Sequence, residues 1–214
     1  MLKLAVFDLD KTLLTSNSSY AFCKHLYKHR IISLYQLLCS VSYKIRHELS
    51  LLSIEELHHK VFNKILVGRS LATLKKHATL FLEAYLFSSL YLPTLKELFK
   101  AQERGDYTVI LSNSPDFLVE PVAHFFQVDE WGATKYAVDK DGRLCKIAKL
   151  MEGRNKAAYL SELALRFQLS KEDITAYSDS YHDLPFLLEA GCPVVVNPDR
   201  KLLKVARLRK WSVI

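Results

Sequence analysis

An α/β domain with a parallel sheet flanked by helices, carrying a small all-helical unit inserted after its first strand, is the fold this 214-residue sequence predicts. Three observations lead there. Short, β-rich apolar runs bounded by polar or turn residues recur along the chain, as buried parallel strands do. Helical patterns separate these runs in alternating order, which is the signature of a sheet covered by helices. Between Leu14 and about Leu90 the alternation gives way to long helical stretches in which Gly68 is the one glycine or proline.

The first strand is Leu4-Ala5-Val6-Phe7. The insertion follows as a small bundle over residues 15–90, with breaks near 50–53 and 67–70, and Ser53-Ile54-Glu55-Glu56 reads as a capping box. Residues 1–14 and 91–214 then make up the sheet domain. Within it, 95–102 and 117–126 have helical patterns on either side of a second strand, Thr108-Val109-Ile110-Leu111. Asp139-Lys140-Asp141-Gly142 is a turn signal flanked by 136–138 and 143–145, so a hairpin is expected. A helix over 155–167 leads to the third strand, Ile174-Thr175-Ala176-Tyr177. A helix over 184–189, the run Val194-Val195-Val196 and an edge strand within 210–214 complete the chain.

Half the residues are apolar, enough for a sizeable core without staples. Cys23, Cys39, Cys145 and Cys192 are scattered with no CxxC pair, which argues against a disulfide framework and a cysteine zinc site. The chain enters its first strand directly, so a cytoplasmic protein is expected rather than a secreted one. Two apolar stretches, 31–43 and 78–95, raise the question of a membrane. The first falls short of the roughly 20 residues a spanning helix needs. The second contains Glu83 and Pro93, so buried or interfacial helices are the expectation.

The net charge of +7 is concentrated in the insertion: residues 16–87 hold ten Lys and Arg against four Glu. Such a segment points to anionic partners, foremost a small phosphorylated metabolite. Peripheral contact with acidic lipid is a second expectation, and specific nucleic-acid binding is not expected because no recognition motif accompanies the charge. Oligomeric state is not legible.

Ligands of open α/β sheets lie beyond the carboxyl ends of the strands. There the sequence places Asp8, Asp10 and Thr12 after the first strand, Ser112 and Asn113 after the second, and Asp179 and Asp183 after the third, with Lys156 near the start of the preceding helix. Phosphate-ester hydrolysis needs a nucleophile, a proton donor for the leaving alcohol and positive charge around the phosphoryl group. Asp8 and Asp10, two positions apart, supply the first two. Lys156 supplies a point charge, while Ser112 donates hydrogen bonds. Several carboxylates converging on one point call for a cation, and an all-oxygen set suits Mg²⁺.

Asp8-Leu9-Asp10-Lys11-Thr12, Leu111-Ser112-Asn113, Lys156 and Ser178-Asp179-Ser180-Tyr181-His182-Asp183-Leu184-Pro185 resemble the four motifs of the haloacid dehalogenase superfamily, in order and across the whole chain. The helical insertion is similar to the cap of its phosphoserine phosphatase-like branch, as are the form of the fourth motif and Val196-Asn197-Pro198-Asp199. The resemblance implies a Rossmann-like core and an aspartyl-phosphate formed on Asp8. It implies Asp10 as acid and base, and Thr12, Ser112, Asn113 and Lys156 around the phosphate. It further implies Mg²⁺ held by Asp8, the Asp10 carbonyl and Asp179, with Asp183 in support.

Two positions depart from the pattern. Lys11 replaces a small residue, and Ser112-Asn113-Ser114-Pro115 replaces the Ser-Gly-Gly turn of phosphoserine phosphatases, which argues against phosphoserine as substrate. His182 occupies a variable position, so a solvent-facing or cap-contacting ring is expected. The histidines of the insertion read as helix-surface residues, and its aromatics as packing, with Tyr20 or Phe22 near the cavity. A membrane-surface phosphatase acting on a lipid head group, and a phosphate-binding regulatory module without turnover, are the competing readings.

Overall fold

The computed structural model describes residues 2–214. Strand β1 (Leu4–Phe7) is followed by α1 (Ser18–Lys28), α2 (Leu34–Glu48), α3 (Ile54–Val61) and α4 (Leu71–Tyr85). Next come α5 (Leu92–Glu103), β2 (Tyr107–Pro115), α6 (Asp116–Phe126), β3 (Glu130–Val138) and β4 (Leu144–Lys149). The chain closes with α7 (Gly153–Phe167), β5 (Ile174–Ser178), α8 (Leu184–Leu187), β6 (Cys192–Val195), α9 (Arg200–Arg209) and β7 (Ser212–Val213). The strands form one sheet in the order β4-β3-β2-β1-β5-β6-β7, parallel except for the β3–β4 hairpin.

Alternation along β1 explains the two-sided core. Leu4 and Val6 join Val109, Leu160, Ile174 and Leu202 on one face. Ala5 and Phe7 join Ile110, Leu98 and Phe117 on the other. That second cluster runs without a break into the insertion through Phe22, Leu26, Ile65 and Leu74, so helices and sheet share one apolar interior. Each insertion helix starts where its sequence supplies a cap. Asn17 accepts from the Tyr20 N–H, Ser33 pairs with Gln36, Ser53 pairs with Glu56 in the expected box, and Ser70 accepts from the Thr73 N–H.

The two chain crossings between sheet and insertion run side by side. Leu14 bridges Leu90, the Thr15 N–H donates to the Ser89 carbonyl at 2.7 Å, and the Tyr91 N–H donates to the Leu13 carbonyl at 2.9 Å. A further seam ties the insertion to the β3–β4 hairpin: Gly68 N–H to the Leu144 carbonyl, Leu144 N–H to the Arg69 carbonyl and Leu71 N–H to the Gly142 carbonyl.

Two elements differ from the sequence expectation. The segment before the hairpin forms the first half of β3, paired parallel to β2 from Val109↔Glu130 to Ser112↔Ala133. Glu130-Trp131-Gly132 lacks the apolar run that marks a buried strand. It is accepted because Tyr107, Tyr159 and Arg166 all donate to the Glu130 carboxylate. Helix α9 was also unmarked by apolar periodicity, and Asp199 starts it by accepting from the Lys201 and Leu202 N–H groups.

Candidate active site

The loop after β1 turns one strand end into three differently placed side chains. Asp8 is extended, and residues 9–13 form a single wide turn closed by the Leu14 N–H on the Leu9 carbonyl at 3.0 Å. Lys11 occupies the left-handed region at φ 60°, which lets the turn reverse within so few residues. Asp8 is buried and Asp10 half-buried at the cavity floor. Thr12 does not reach that cavity. It is wholly buried behind Asp8, where its hydroxyl donates to Asp8 Oδ2 at 3.3 Å, so the geometry offers it a positioning role rather than the direct phosphate contact expected from sequence.

Lys156 is 1% exposed, and its ammonium bridges Asp8 Oδ1 at 2.6 Å and Asp183 Oδ2 at 2.7 Å. The Ser178 hydroxyl donates to the same Asp183 oxygen at 2.8 Å. Gly153 makes this arrangement possible. A Cβ there would lie 2.0 Å from the His182 carbonyl oxygen, so only glycine lets the start of α7 press against the loop carrying Asp183. Although burial pulls the Lys156 ammonium downward, Asp183 and Asp8 outweigh it and hold its pKa above the usual lysine value.

Asp10 is held by a separate network. Its Oδ1 accepts from the Ser18 N–H at 2.7 Å, and its Oδ2 accepts from the Ser114 hydroxyl at 2.6 Å and the Asn17 amide at 3.2 Å. Ser114 in turn exchanges hydrogen bonds with the Ser18 and Ser19 hydroxyls, joining the start of the insertion to the end of β2. The register of β2 against β3 slips between Ser112 and Pro115, a bulge that re-aims these side chains. Ser112 and Asn113 both line the cavity. Ser112 Oγ accepts from the Ser114 N–H at 3.1 Å, and Asn113 Oδ1 is buried without a hydrogen-bond partner. Asn17 and Ser18 were not singled out from sequence, and Ser114 and Ser178 stood within quoted motifs without being given a role.

The cavity measures about 540 Å³ and extends from these carboxyl groups up between the insertion helices. Its upper walls are mostly apolar, with Tyr20, Phe22, Leu57, Phe62 and Tyr136 among the lining residues. Both aromatics flagged at the entry to the insertion therefore line it. His182 is exposed, and its ring lies 4.8 Å from that of His47 on α2, so it faces solvent and touches the insertion together.

Burial pushes the Asp8 carboxyl up to about 7, with the Asp183 and Asp10 charges adding to the rise and Lys156 opposing it. Burial and the neighbouring Asp8 push Asp179 up to about 8. One buried ammonium thus serves a group of carboxyl oxygens that it does not fully balance. The donor set, all oxygens, fits a hard divalent cation such as Mg²⁺.

These features define a hydrolase class, and the chain belongs to it: the profile of the haloacid dehalogenase-like hydrolases matches residues 5–188. Over 222 aligned residues the chain is 29% identical to a histidinol-phosphatase of Neisseria meningitidis serogroup C, covering 100% of this chain and 99% of that protein. A Bordetella pertussis Tohama I protein of unknown function shares the fold at a TM-score of 0.86 and 23% identity, with 100% of this chain and 99% of the other covered. A phospho-aspartyl intermediate analogue of phosphoserine phosphatase superposes at a TM-score of 0.74 and 17% identity, over 99% and 92% of the chains. The protein is a haloacid dehalogenase-like hydrolase with a Rossmann-like core and a helical cap inserted after its first strand.

Proposed function

We propose that the protein is a Mg²⁺-dependent phosphomonoesterase that works through an aspartyl-phosphate on Asp8 and acts on a small phosphorylated metabolite. The observation that carries this reading is the buried bridge from Lys156 to Asp8 and Asp183 beside Asp179, at the carboxyl ends of β1 and β5.

An Asp8 oxygen attacks phosphorus, and the bond to the leaving alcohol breaks as Asp10 gives that alcohol its proton. Asp10, now a carboxylate, takes a proton from water, which attacks the aspartyl-phosphate and releases inorganic phosphate, restoring Asp8. Lys156 offsets charge on the transferring group, with Ser112 and Asn113 donating from the opposite wall. Asp8, the Asp10 main-chain carbonyl and Asp179 would hold Mg²⁺, which when bound screens the meeting of two anions. Asp183 fixes Lys156.

Residues 15–90 act as a cap over a core of residues 1–14 and 91–214, closing the cavity against water during transfer. The apolar upper walls favour an alcohol with an apolar body, and the Neisseria relative's name places histidinol phosphate among the first esters to test. The altered turn at Ser112-Asn113-Ser114-Pro115 disfavours phosphoserine. The reaction is assigned to the cytoplasm, as expected for a phosphorylated metabolite.

The test is phosphate release across sugar phosphates, nucleotides, phosphoamino acids, histidinol phosphate and phospholipid head groups with Mg²⁺. Turnover of at least one ester, lowered more than about 10³-fold by Asp8→Asn, is expected because a covalent nucleophile has no substitute. Turnover equal in wild type and Asp8→Asn would reject the mechanism.

A second reading, in which the substrate is a lipid head group, is favoured by one feature of α2. Leu34, Leu38 and Ile45 lie exposed along one helical stripe that continues to Leu49. No helix among the described residues is long and apolar enough to cross a membrane, so such contact would be peripheral. Flotation with anionic vesicles separates the two readings, since only the lipid reading requires the protein to rise with them.

A further inference from the structure

Outside the catalytic cavity, the insertion brings three imidazoles together. His25 lies on α1, His29 follows one turn later as the residue that caps its C-terminus, and His77 approaches from α4. One ring nitrogen from each lies within 4.8 Å of the others, and the ring centroids are 4.2 Å, 5.6 Å and 5.5 Å apart. His25 Nε2 and His77 Nδ1 are buried and have no hydrogen-bond partner. An unpartnered buried polar atom carries a desolvation cost, which a ligand bound at such a cluster relieves. His29 is exposed, which leaves a route from solvent. The sequence hid this cluster because His77 is far from His25 and His29 along the chain.

We propose that His25, His29 and His77 form a binding site for a borderline transition-metal ion, Zn²⁺ foremost, distinct from the carboxylate site. The chemistry of the donors selects the ion. Three neutral imidazoles, with a fourth position open to water, make a familiar zinc set. No carboxylate is among the three ligands, so Mg²⁺ and Ca²⁺ gain little there. Lys28 and Lys76, adjacent in sequence to His29 and His77, further disfavour ions held by charge alone. Behind the cluster His25 stacks on Phe22 at 6.0 Å and meets the Phe81 ring edge-on at 5.7 Å, so the ring facing the metal is fixed by core aromatics. A bound ion would join the first helix of the insertion to its last. It would thereby stiffen the helix whose Phe22 lines the catalytic cavity.

The experiment is calorimetric titration of untagged protein with Zn²⁺ in saturating Mg²⁺, and with Co²⁺ followed by its visible absorption. One Zn²⁺ per chain and tetrahedral Co²⁺ bands are expected in wild type and in Asp179→Asn. His29→Ala and His77→Ala should each weaken binding by more than about 100-fold, the upper end of what losing a supporting group costs. Circular dichroism checks that these variants fold. Because His77 is half-buried, a second measurement uses wild type alone: Zn²⁺ should shift the side-chain ¹⁵N resonances of His25, His29 and His77 together. Absence of Zn²⁺ binding, binding unchanged in both histidine variants, or unshifted resonances of these three rings would overturn the proposal.

Discussion

Lys156 is the residue on which the charge balance of the site turns, because it bridges both Asp8 and Asp183 in the buried floor. Replacing it by Met should destabilise the metal-free fold by about 3–5 kcal/mol, the usual cost of stranding a buried charge, as read by urea unfolding. It should also weaken binding of inorganic phosphate and lower turnover together. Gly153→Ala tests how that lysine is placed. Its methyl would collide with the His182 carbonyl, so a loss of about 1–3 kcal/mol or more is expected, with reduced turnover as Lys156 shifts. Asp8, Asp10, Lys156, Asp179 and Asp183 were legible in the sequence because each lies at a fixed offset from a strand end or on the helix leading to one. Ser114 was not, since it acquires its partner Asp10 only when distant segments meet, whereas Ser178 stood within the quoted fourth motif, five residues from its partner Asp183, without being given a role. Thr12 was legible as a neighbour of Asp8, but its side-chain direction depended on the wide turn that follows Asp8.

At the level of elements, α3 contributes the half-buried His58 to the cavity wall, and burial followed by the nearby His47 and His59 pushes its pKa down to about 4. The folded chain therefore keeps this ring neutral at pH values where the unfolded chain, near 6.5, already binds a proton. Its effect on stability is absent above about pH 6.5, grows as pH falls toward about 4 and levels off below. Thermal midpoints of wild type and His58→Gln should therefore diverge below pH 6.5, with the variant falling less steeply. Most helices and most strands were readable from capping residues and apolar runs, α9 being an exception. The first half of β3 was not, because its place in the sheet depends on Tyr107, Tyr159 and Arg166 converging on Glu130, a long-range arrangement with no local signature. Helix α2 was read as buried or interfacial from its apolar content. The structure exposes Leu34, Leu38 and Ile45 and buries only Ser40 fully among its residues.

For the whole molecule, Asp8 and Asp179 link stability to both pH and metal. Their carboxyls, raised to about 7 and about 8, keep protons in the fold that the unfolded chain releases near 3.8. Metal-free stability from these groups is thus greatest at low pH and is lost as pH rises through that window. A cation competes with those protons, so the thermal shift produced by saturating Mg²⁺ should be larger at pH 8.5 than at pH 6. A shift that is flat across this range would contradict the assignment. The paired crossings at Leu13–Thr15 and Ser89–Tyr91 also bear on how the chain reaches this state. β1 must find β2, with Leu4 beside Tyr107, and then β5, with Leu4 beside Ile174, so the central pairing of the sheet is highly non-local. Closing such loops from a disordered chain is slow. Once the insertion helices have formed from local contacts, however, Thr15 and Ser89 are one hydrogen bond apart, and the effective loop between β1 and β2 shrinks to residues 8–15 on one side and 89–106, which include α5, on the other. Pulse-labelled hydrogen exchange should therefore protect α1 and α4 before β1, so that the unit which roofs the cavity also acts during folding as a kinetic shortcut.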